Sequence, residues 1–458
     1  MKRIWNRGWK QTLITSFMVM MLMLSTIMPA MANPADNISR WAVEALNEGE
    51  KYGIYPIEWY DGEFRNTISK ERLESLLTTT SNKIAVLNLE KNDNFTPAEY
   101  TGDGTRGDVL KRFYNIVAQY KLPQLEGTPI DYLQKQHVVL GMGAGLHLDQ
   151  PCTTEQAVIF ATRLIEDTYN QANAGSKGLV WKVENDGNVV YLLGSIHIGS
   201  SDIYPIDRKL KGLFNSADAL VVEANILNQA EGLAYFMQKS MFQDDTTLKD
   251  VISEELYEKV LLVFEKYGID EKEYSKLKPW SLANNLNVIS MSNSENMEQG
   301  AQSAGLGIDM YFIINALLSQ KPIDELEGIQ YQADMFDGLS QEFQEEYLTM
   351  IVDNILSPPV EEAQNSSEQL DEWLDFWRKG DVEGFSASFT KATEGDESEL
   401  TKMLFGIRDE KMADKISQLL ESEEKGTYFI VVGAGHLAQP NTILHNLEEK
   451  GYTIEILK

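Results

Sequence analysis

The chain has 458 residues, length enough for two or three domains, and carries 40 Lys and Arg against 70 Asp and Glu, a net charge of −30. That balance argues against nucleic acid or anionic lipid as a partner and favours solubility. The one cysteine, Cys152, excludes an intramolecular disulfide framework and reads as a half-buried structural thiol.

Residues 1–32 read as a targeting segment. Lys2, Arg3, Arg7 and Lys10 precede an apolar run over 13–28, and Ala30-Met31-Ala32 is an A-x-A cleavage signal before Asn33. The run is short for a membrane span, with an uncleaved anchor as the alternative to removal, and no cysteine follows it to carry a lipid. After its removal no other apolar run is long enough to cross a membrane. The expected location is secreted or cell-envelope associated.

Residues 33–172 carry a degenerate internal repeat. Its units end at Ile68-Ser69-Lys70-Glu71-Arg72-Leu73, at Thr105-Arg106-Gly107-Asp108 and at Thr153-Thr154-Glu155-Gln156. Each is expected to cap an amphipathic helix with Ser or Thr and to place an acid or amide at the third helical position. These segments resemble S-layer homology (SLH) repeats, which form a small, mainly helical, three-lobed domain that binds cell-wall polysaccharide. The resemblance implies wall polymer as a partner. The Thr-Arg-x-Glu motif of those repeats is matched only approximately, at residues 105–108, and the outer units lack its arginine. A spacer or docking module without sugar affinity is therefore equally open.

Residues 173–178 are small and polar and read as a linker. From 179 to 458 the pattern changes. Val180-Trp181-Lys182-Val183 and the run 189–193 flank Asn185-Asp186-Gly187-Asn188, a hairpin signal. The second run ends in Gly194-Ser195-Ile196-His197. A helical segment, 207–217, leads to Ala219-Leu220-Val221-Val222, which ends in Glu223. Strand, helix, strand implies a parallel sheet, with polar residues at the carboxyl ends of strands, where open α/β sheets place their sites. The pattern is then helical from about 229 to 320. A short strand at 321–326 ends near Glu327, and helices follow at 341–356, 369–378 and 409–420. The run 427–432 ends in Gly433-Ala434-Gly435-His436, a second G-x-x-H, and 452–457 is a last strand. The predicted fold class is α/β: a mixed, largely parallel sheet with G-x-x-H motifs at strand ends and a large helical insertion, preceded by the small SLH-like helical domain.

The two strand-end imidazoles and one strand-end carboxylate suit two kinds of chemistry. They can hold a divalent metal ion with a position open for water, or they can act as base and orienter. No H-E-x-x-H is present.

Gly194-Ser195-Ile196-His197, Val221-Val222-Glu223, Gly305-Leu306-Gly307-Ile308-Asp309 with Tyr311-Phe312, Leu326-Glu327 with Gln330, Arg408-Asp409-Glu410-Lys411-Met412 and Val432-Gly433-Ala434-Gly435-His436-Leu437 resemble the motifs of the TraB/GumN/TIKI family. The resemblance spans residues 178–458. It implies a hydrolase, and through its TIKI branch a divalent-metal-dependent peptidase acting on a peptide or protein. His197, Glu223 and His436 would be the metal ligands, and their N/O donors leave Mn, Co and Zn all open. The resemblance extends to erythromycin-esterase-like hydrolases, which implies a metal-free alternative. There His197 or His436 takes a proton from water, Glu223 orients it and Arg408 stabilises an oxyanion, with Glu327 beside them. A TraB-type protein that sequesters a pheromone-like peptide without cutting it is the third reading. The family usually reads Arg-Asn where this chain has Arg408-Asp409. Asp309 is expected to cap the helix that follows it. His137, His147 and His445, and the glutamates at 361–362, 397–399 and 421–424, read as structural or solvated.

Overall fold

The computed structural model describes residues 38–141, 143, 145–225, 230–357, 366–395, 397–438 and 440–457. The targeting segment at 1–32 and the Glu361-Glu362 pair lie outside them. The described chain divides into two units, one of residues 38–176 with 201–211, the other of 177–200 with 212–457.

In the first unit the three repeat positions each open a long helix, Lys70–Ala85, Arg106–Ala118 and Thr154–Ala172, and each of these helices packs on the other two. The hydroxyls of Ser69, Thr105 and Thr153 accept from the N–H three residues on. Each such cap contributes about 1 kcal/mol. The expected acid or amide at the third position closes a full capping box only at Thr153–Gln156. In the first repeat the third position is Arg72. In the second repeat Asp108 accepts from the N–H groups of Thr101 (2.9 Å) and Asp103 (3.0 Å), because the loop before the helix would otherwise leave those donors unpaired. Arg106 is not a surface residue. It is 2 % exposed, its Nε donates to the Leu146 carbonyl at 3.0 Å, and its guanidinium lies 5.2 Å from the Phe160 ring centroid. Cys152 is fully buried rather than half-buried, and burial pushes its thiol up to about 12. The segment 201–211 is part of this unit. Lys83 Nζ donates to the Ser201 carbonyl, and Lys211 pairs with Glu166 at 2.9 Å and Glu48 at 3.3 Å. Backbone bonds run from Ser176 N–H to the Pro205 carbonyl and from Asp207 N–H to the Ser176 carbonyl.

In the second unit the strands are β1 (Leu179–Asn185), β2 (Asn188–Ser195), β3 (Ala219–Val222), β4 (Ile323–Glu325), β5 (Thr427–Gly433) and β6 (Ile454–Leu457). Among the described residues they form one mixed sheet in the order β4-β3-β5-β2-β1-β6. The pairs β4/β3, β3/β5 and β5/β2 are parallel; β2/β1 and β1/β6 are antiparallel. The hairpin between β1 and β2 turns on Asp186 (φ 46°) and Gly187 (φ 86°), two positive-φ residues as a two-residue hairpin turn requires. The parallel register sets Ser195 opposite Gly433 and Val222 opposite Val431, so the carboxyl ends of β2, β3 and β5 share one edge.

The strands read as continuous apolar runs because both faces are covered. Leu192, Leu193, Leu220, Phe429 and Ile430 are all fully buried. Phe214, Phe312 and Phe429 meet below the sheet with centroids 4.9–5.6 Å apart. Burying each such side chain contributes about 1.5–3 kcal/mol. The helical insertion has its own core around Pro279–Met291, which packs on Gln341–Leu356 and Ser366–Lys379. Trp373 and Trp377 are core residues, and Trp377 Nε1 donates to the Gly194 carbonyl at 2.7 Å, tying that core to the end of β2.

Candidate active site at the carboxyl edge of the sheet

The two G-x-x-H loops lie against each other. A Cβ at Gly194 would stand 3.0 Å from the Ala434 Cβ and 3.1 Å from its Cα, so only glycine lets the loops close. Ala434 N–H donates to the Ser195 carbonyl at 2.8 Å across the same contact.

Glu223 follows the last residue of β3 and reaches β5, where Oε1 accepts from Gly433 N–H at 2.6 Å. Its own carbonyl accepts from the N–H groups of Glu327 and Gly328, both at 2.9 Å, which brings Glu327 beside it after β4. Arg408 enters from the first turn of the helix Ile407–Leu420. Nε donates to Glu327 Oε1 at 2.6 Å. Nη2 donates to Glu327 Oε2 and to Glu223 Oε2, each at 2.6 Å. Nη1 faces His436 Nε2 at 3.1 Å and the Leu404 carbonyl at 3.5 Å. Every N–H of the guanidinium therefore has an acceptor.

An arginine can only donate, so His436 Nε2 must accept. The ring is then neutral with its proton on Nδ1, which donates to Asp409 Oδ1 at 2.8 Å. Asp409 has no exposed surface, and its Oδ2 accepts from Gly406 N–H at 2.9 Å at the start of the helix.

His197, two residues beyond β2, pairs with Asp309. Nδ1 lies 3.1 Å from Asp309 Oδ1, close enough for an ion pair but not aligned as a hydrogen bond. Asp309 does not cap its helix. Gly307 occupies the cap position with no side chain to offer, and a Cβ there would stand 2.5 Å from the His197 carbonyl. The carboxylate, one position past the start of the helix, is left to face the imidazole. Glu327 likewise caps nothing, since Gly328 precedes its helix and Glu327 goes to Arg408.

The electrostatics follow from this packing. Burial raises the Glu223 carboxyl, but Arg408 foremost, with His197 and the Gly433 N–H, carries it down to about 2. Burial works against a charged His197, yet Asp309 and then Glu223 outweigh it and the imidazole is raised above its ordinary value. Arg408 is held still more firmly protonated, as Glu223 and Glu327 overcome the cost of burying it.

All five residues picked out by sequence stand in this neighbourhood. Glu223, Glu327, Arg408 and His436 are in direct contact, and His197 interacts with Glu223 and Arg408 through charge. Asp309 and Asp409 were not recognised as partners of the histidines. Asp409 had a signal, an acid directly after Arg408 where the family pattern has an amide. Gln332 Nε2, 3.5 Å from Glu223 Oε2, had none.

The metal expectation meets a specific obstacle. Among the described residues no group of three or more His, Cys, Asp and Glu side chains is arranged to hold an ion. Glu223, Glu327 and His436 converge instead on a guanidinium, and a divalent ion set beside it would meet its repulsion at short range. As arranged, the donors fit Arg408 and not a second cation.

Fold and site together define a mixed α/β domain with a buried carboxylate–arginine–histidine cluster at its strand ends. The chain belongs to the TraB/PrgY/gumN family, whose model matches residues 179–456. It is 26% identical over 247 residues to the uncharacterized protein YbaP of Escherichia coli strain K12, covering 54% of this chain and 83% of that one. The YbaP of Shigella flexneri matches equally. A metalloprotease TIKI homolog of Amphimedon queenslandica is 22% identical over 331 residues, 62% of each chain. No solved structure matches.

Proposed function

We propose that the chain is an exported, envelope-associated hydrolase that cleaves a peptide or protein with His197 as general base and without a metal ion. The pairing of His197 with Asp309 carries this reading. The carboxylate charge of Asp309, 3.1 Å from Nδ1, favours the tautomer of the neutral ring with its proton there, which leaves the other nitrogen to take a proton from water. The water oxygen bonds to the scissile carbonyl carbon, the carbon–nitrogen bond breaks, and His197 passes the proton to the leaving amine. His436 has no such freedom, because its Nε2 lone pair is given to Arg408. Arg408 holds Glu223 and Glu327 in place. Its longest bond, Nη1 to the Leu404 carbonyl at 3.5 Å, is the donor that a developing oxyanion would draw away.

The second reading is a peptidase dependent on Mn, Co or Zn. It is favoured by the relative named a metalloprotease, and by His197 Nδ1 and Asp309 Oδ1, buried atoms without hydrogen-bond partners. It requires Arg408 to give up its place among the ligands.

The test is cleavage of a mixed peptide library by the full mature chain after exhaustive chelation, then after adding Mn or Co. Full activity without metal supports the first reading, and activity only after the addition supports the second. Tight peptide binding with no cleavage under any condition would leave sequestration. Export is checked by mass spectrometry of the secreted chain, expected to begin at Asn33. The role of residues 33–172 as a wall-polymer module is checked by pull-down with purified wall.

A further inference from the structure

We propose that the guanidinium of Arg408 is the resident cation of this site, standing where a divalent ion stands in a carboxylate–imidazole metal centre. Glu223, Glu327 and His436 then become a metal site only when that guanidinium is removed.

The side chains around Arg408 are of the types that hold a divalent ion, but they are spaced by the guanidinium, at hydrogen-bond distances from its three nitrogens. Its side-chain partners include Glu327 Oε1 and Oε2, Glu223 Oε2 and His436 Nε2, at 2.6–3.1 Å, beside the Leu404 carbonyl at 3.5 Å. Two carboxylates and an imidazole form an N/O set suited to Mn, Co or Zn. The histidine is also built as a ligand. Its far nitrogen donates to a buried carboxylate, Asp409, which fixes the tautomer and aims the Nε2 lone pair inward. Carboxylate, histidine, cation is the outer-shell arrangement that steadies metal-bound histidines. Here the chain of contacts ends on a guanidinium that is 2 % exposed and holds all of these acceptors at once. Taking the side chain away would leave two buried carboxylates without a counter-charge and a space of several atoms between them. That is a site with affinity for a small divalent cation.

This inference does not depend on the reaction proposed above, because it is read from bound metal and not from turnover. Full-length wild type, Arg408→Ala and Arg408→Ala/Glu327→Gln are incubated with MnCl2, desalted and analysed for metal by mass spectrometry, with melting followed in parallel with and without the ion. The wild type should retain well under one equivalent and melt unchanged. Arg408→Ala should retain about one equivalent, bind Mn at least ~10–100-fold more tightly than wild type, and melt higher with the ion. The added Glu327→Gln change should remove that gain. One equivalent on the wild type that His436→Gln abolishes would overturn the proposal, as would a folded Arg408→Ala that takes up none. Should Arg408→Ala fold only when Mn is present, the dependence supports the proposal. If neither it nor Arg408→Met folds with or without Mn, the proposal fails, since an ion that fits the place would replace the lost charge.

Discussion

His436 Nδ1 stands 2.8 Å from Asp409 Oδ1, and the same carboxylate's other oxygen holds the N–H of Gly406, the residue that precedes the helix carrying Arg408. One side chain therefore fixes both the ring that touches the guanidinium and the helix end that delivers it. The two histidines of the paired motifs are consequently unequal. His436 is 2 % exposed and bonded at both nitrogens, whereas the His197 side chain is 12 % exposed and bound on one side.

Their alanine variants should part accordingly. His197→Ala should abolish hydrolysis and cost less stability than His436→Ala, because it removes one ion-pair partner, Asp309, at a site where the imidazole is 12 % exposed. His436→Ala leaves buried charged partners unsatisfied and should cost about 1–3 kcal/mol in urea unfolding as well as activity. Equal losses of stability in the two would contradict the division of roles.

Asp309 should set the pH range of activity. A base must be neutral to work, so activity should rise as pH climbs through the folded pKa of His197. That value lies above the ordinary imidazole value of 6.5 because of Asp309 and Glu223. Asp309→Asn removes the leading opposite charge and should move the rising limb of the kcat/KM profile to lower pH. By linkage, the stability contributed by protonated His197 is present below about 6.5 and fades as pH rises through the folded value. A profile unmoved by Asp309→Asn would show that His197 is not the base.

Glu223 predicts an acid limb of opposite sign. Its carboxyl falls from 4.5 to about 2 on folding. The stability it contributes is complete above about 4.5 and is lost as pH falls from there through 2. The whole of that fall corresponds to at most roughly 3–4 kcal/mol. Urea unfolding at steps between pH 5 and pH 2 should show this loss in the wild type, and Glu223→Gln should flatten it from a lower starting stability.

In the first unit, Arg106→Ala should behave as a core lesion and not as a lost contact with polymer. The side chain is nearly fully buried, bonded to Leu146 and stacked on Phe160. A cost of roughly 1–3 kcal/mol is expected, with any affinity of the whole chain for purified wall unchanged at temperatures where both proteins are folded. A folded variant with selectively weakened wall binding would return Arg106 to the binding surface.

The strands could be read because buried β-branched and aromatic runs closed by Gly have few other meanings, as at Thr427–Gly433. The hairpin at Asp186-Gly187 followed from turn chemistry, and the helix Glu254–Tyr267 from its periodicity. His197, Glu223 and His436 were legible through their places after strands, since a parallel register aligns strand ends. The partnership of Arg408 with Glu327 and Glu223 spans 81 and 185 residues and leaves no local trace. The same is true of His197 and Asp309, which meet only because the helix Ile308–Leu318 packs on β3 and β5. A helix-start acid has a local explanation as a cap, and only the tertiary fold overrides it. The repeat caps were legible for the same local reason, whereas the use of Asp108 by residues 101–103 depends on a loop path that periodicity does not encode.

The assignment of segment 201–211 to the first unit bears on the order in which the chain is made. Synthesis runs from the N-terminus at about 5–20 residues per second, and helices 70–85, 106–118 and 154–172 are complete well before residue 211 appears. Until then the buried amine of Lys83 lacks the Ser201 carbonyl, and Glu48 and Glu166 lack the cation of Lys211. The unit that emerges first is thus not finished when its three long helices are out, and must wait for residues 201–211. Its last contacts arrive on a stretch of chain that follows β2 and His197, so the first unit can close only after the first strand pair of the second has been made.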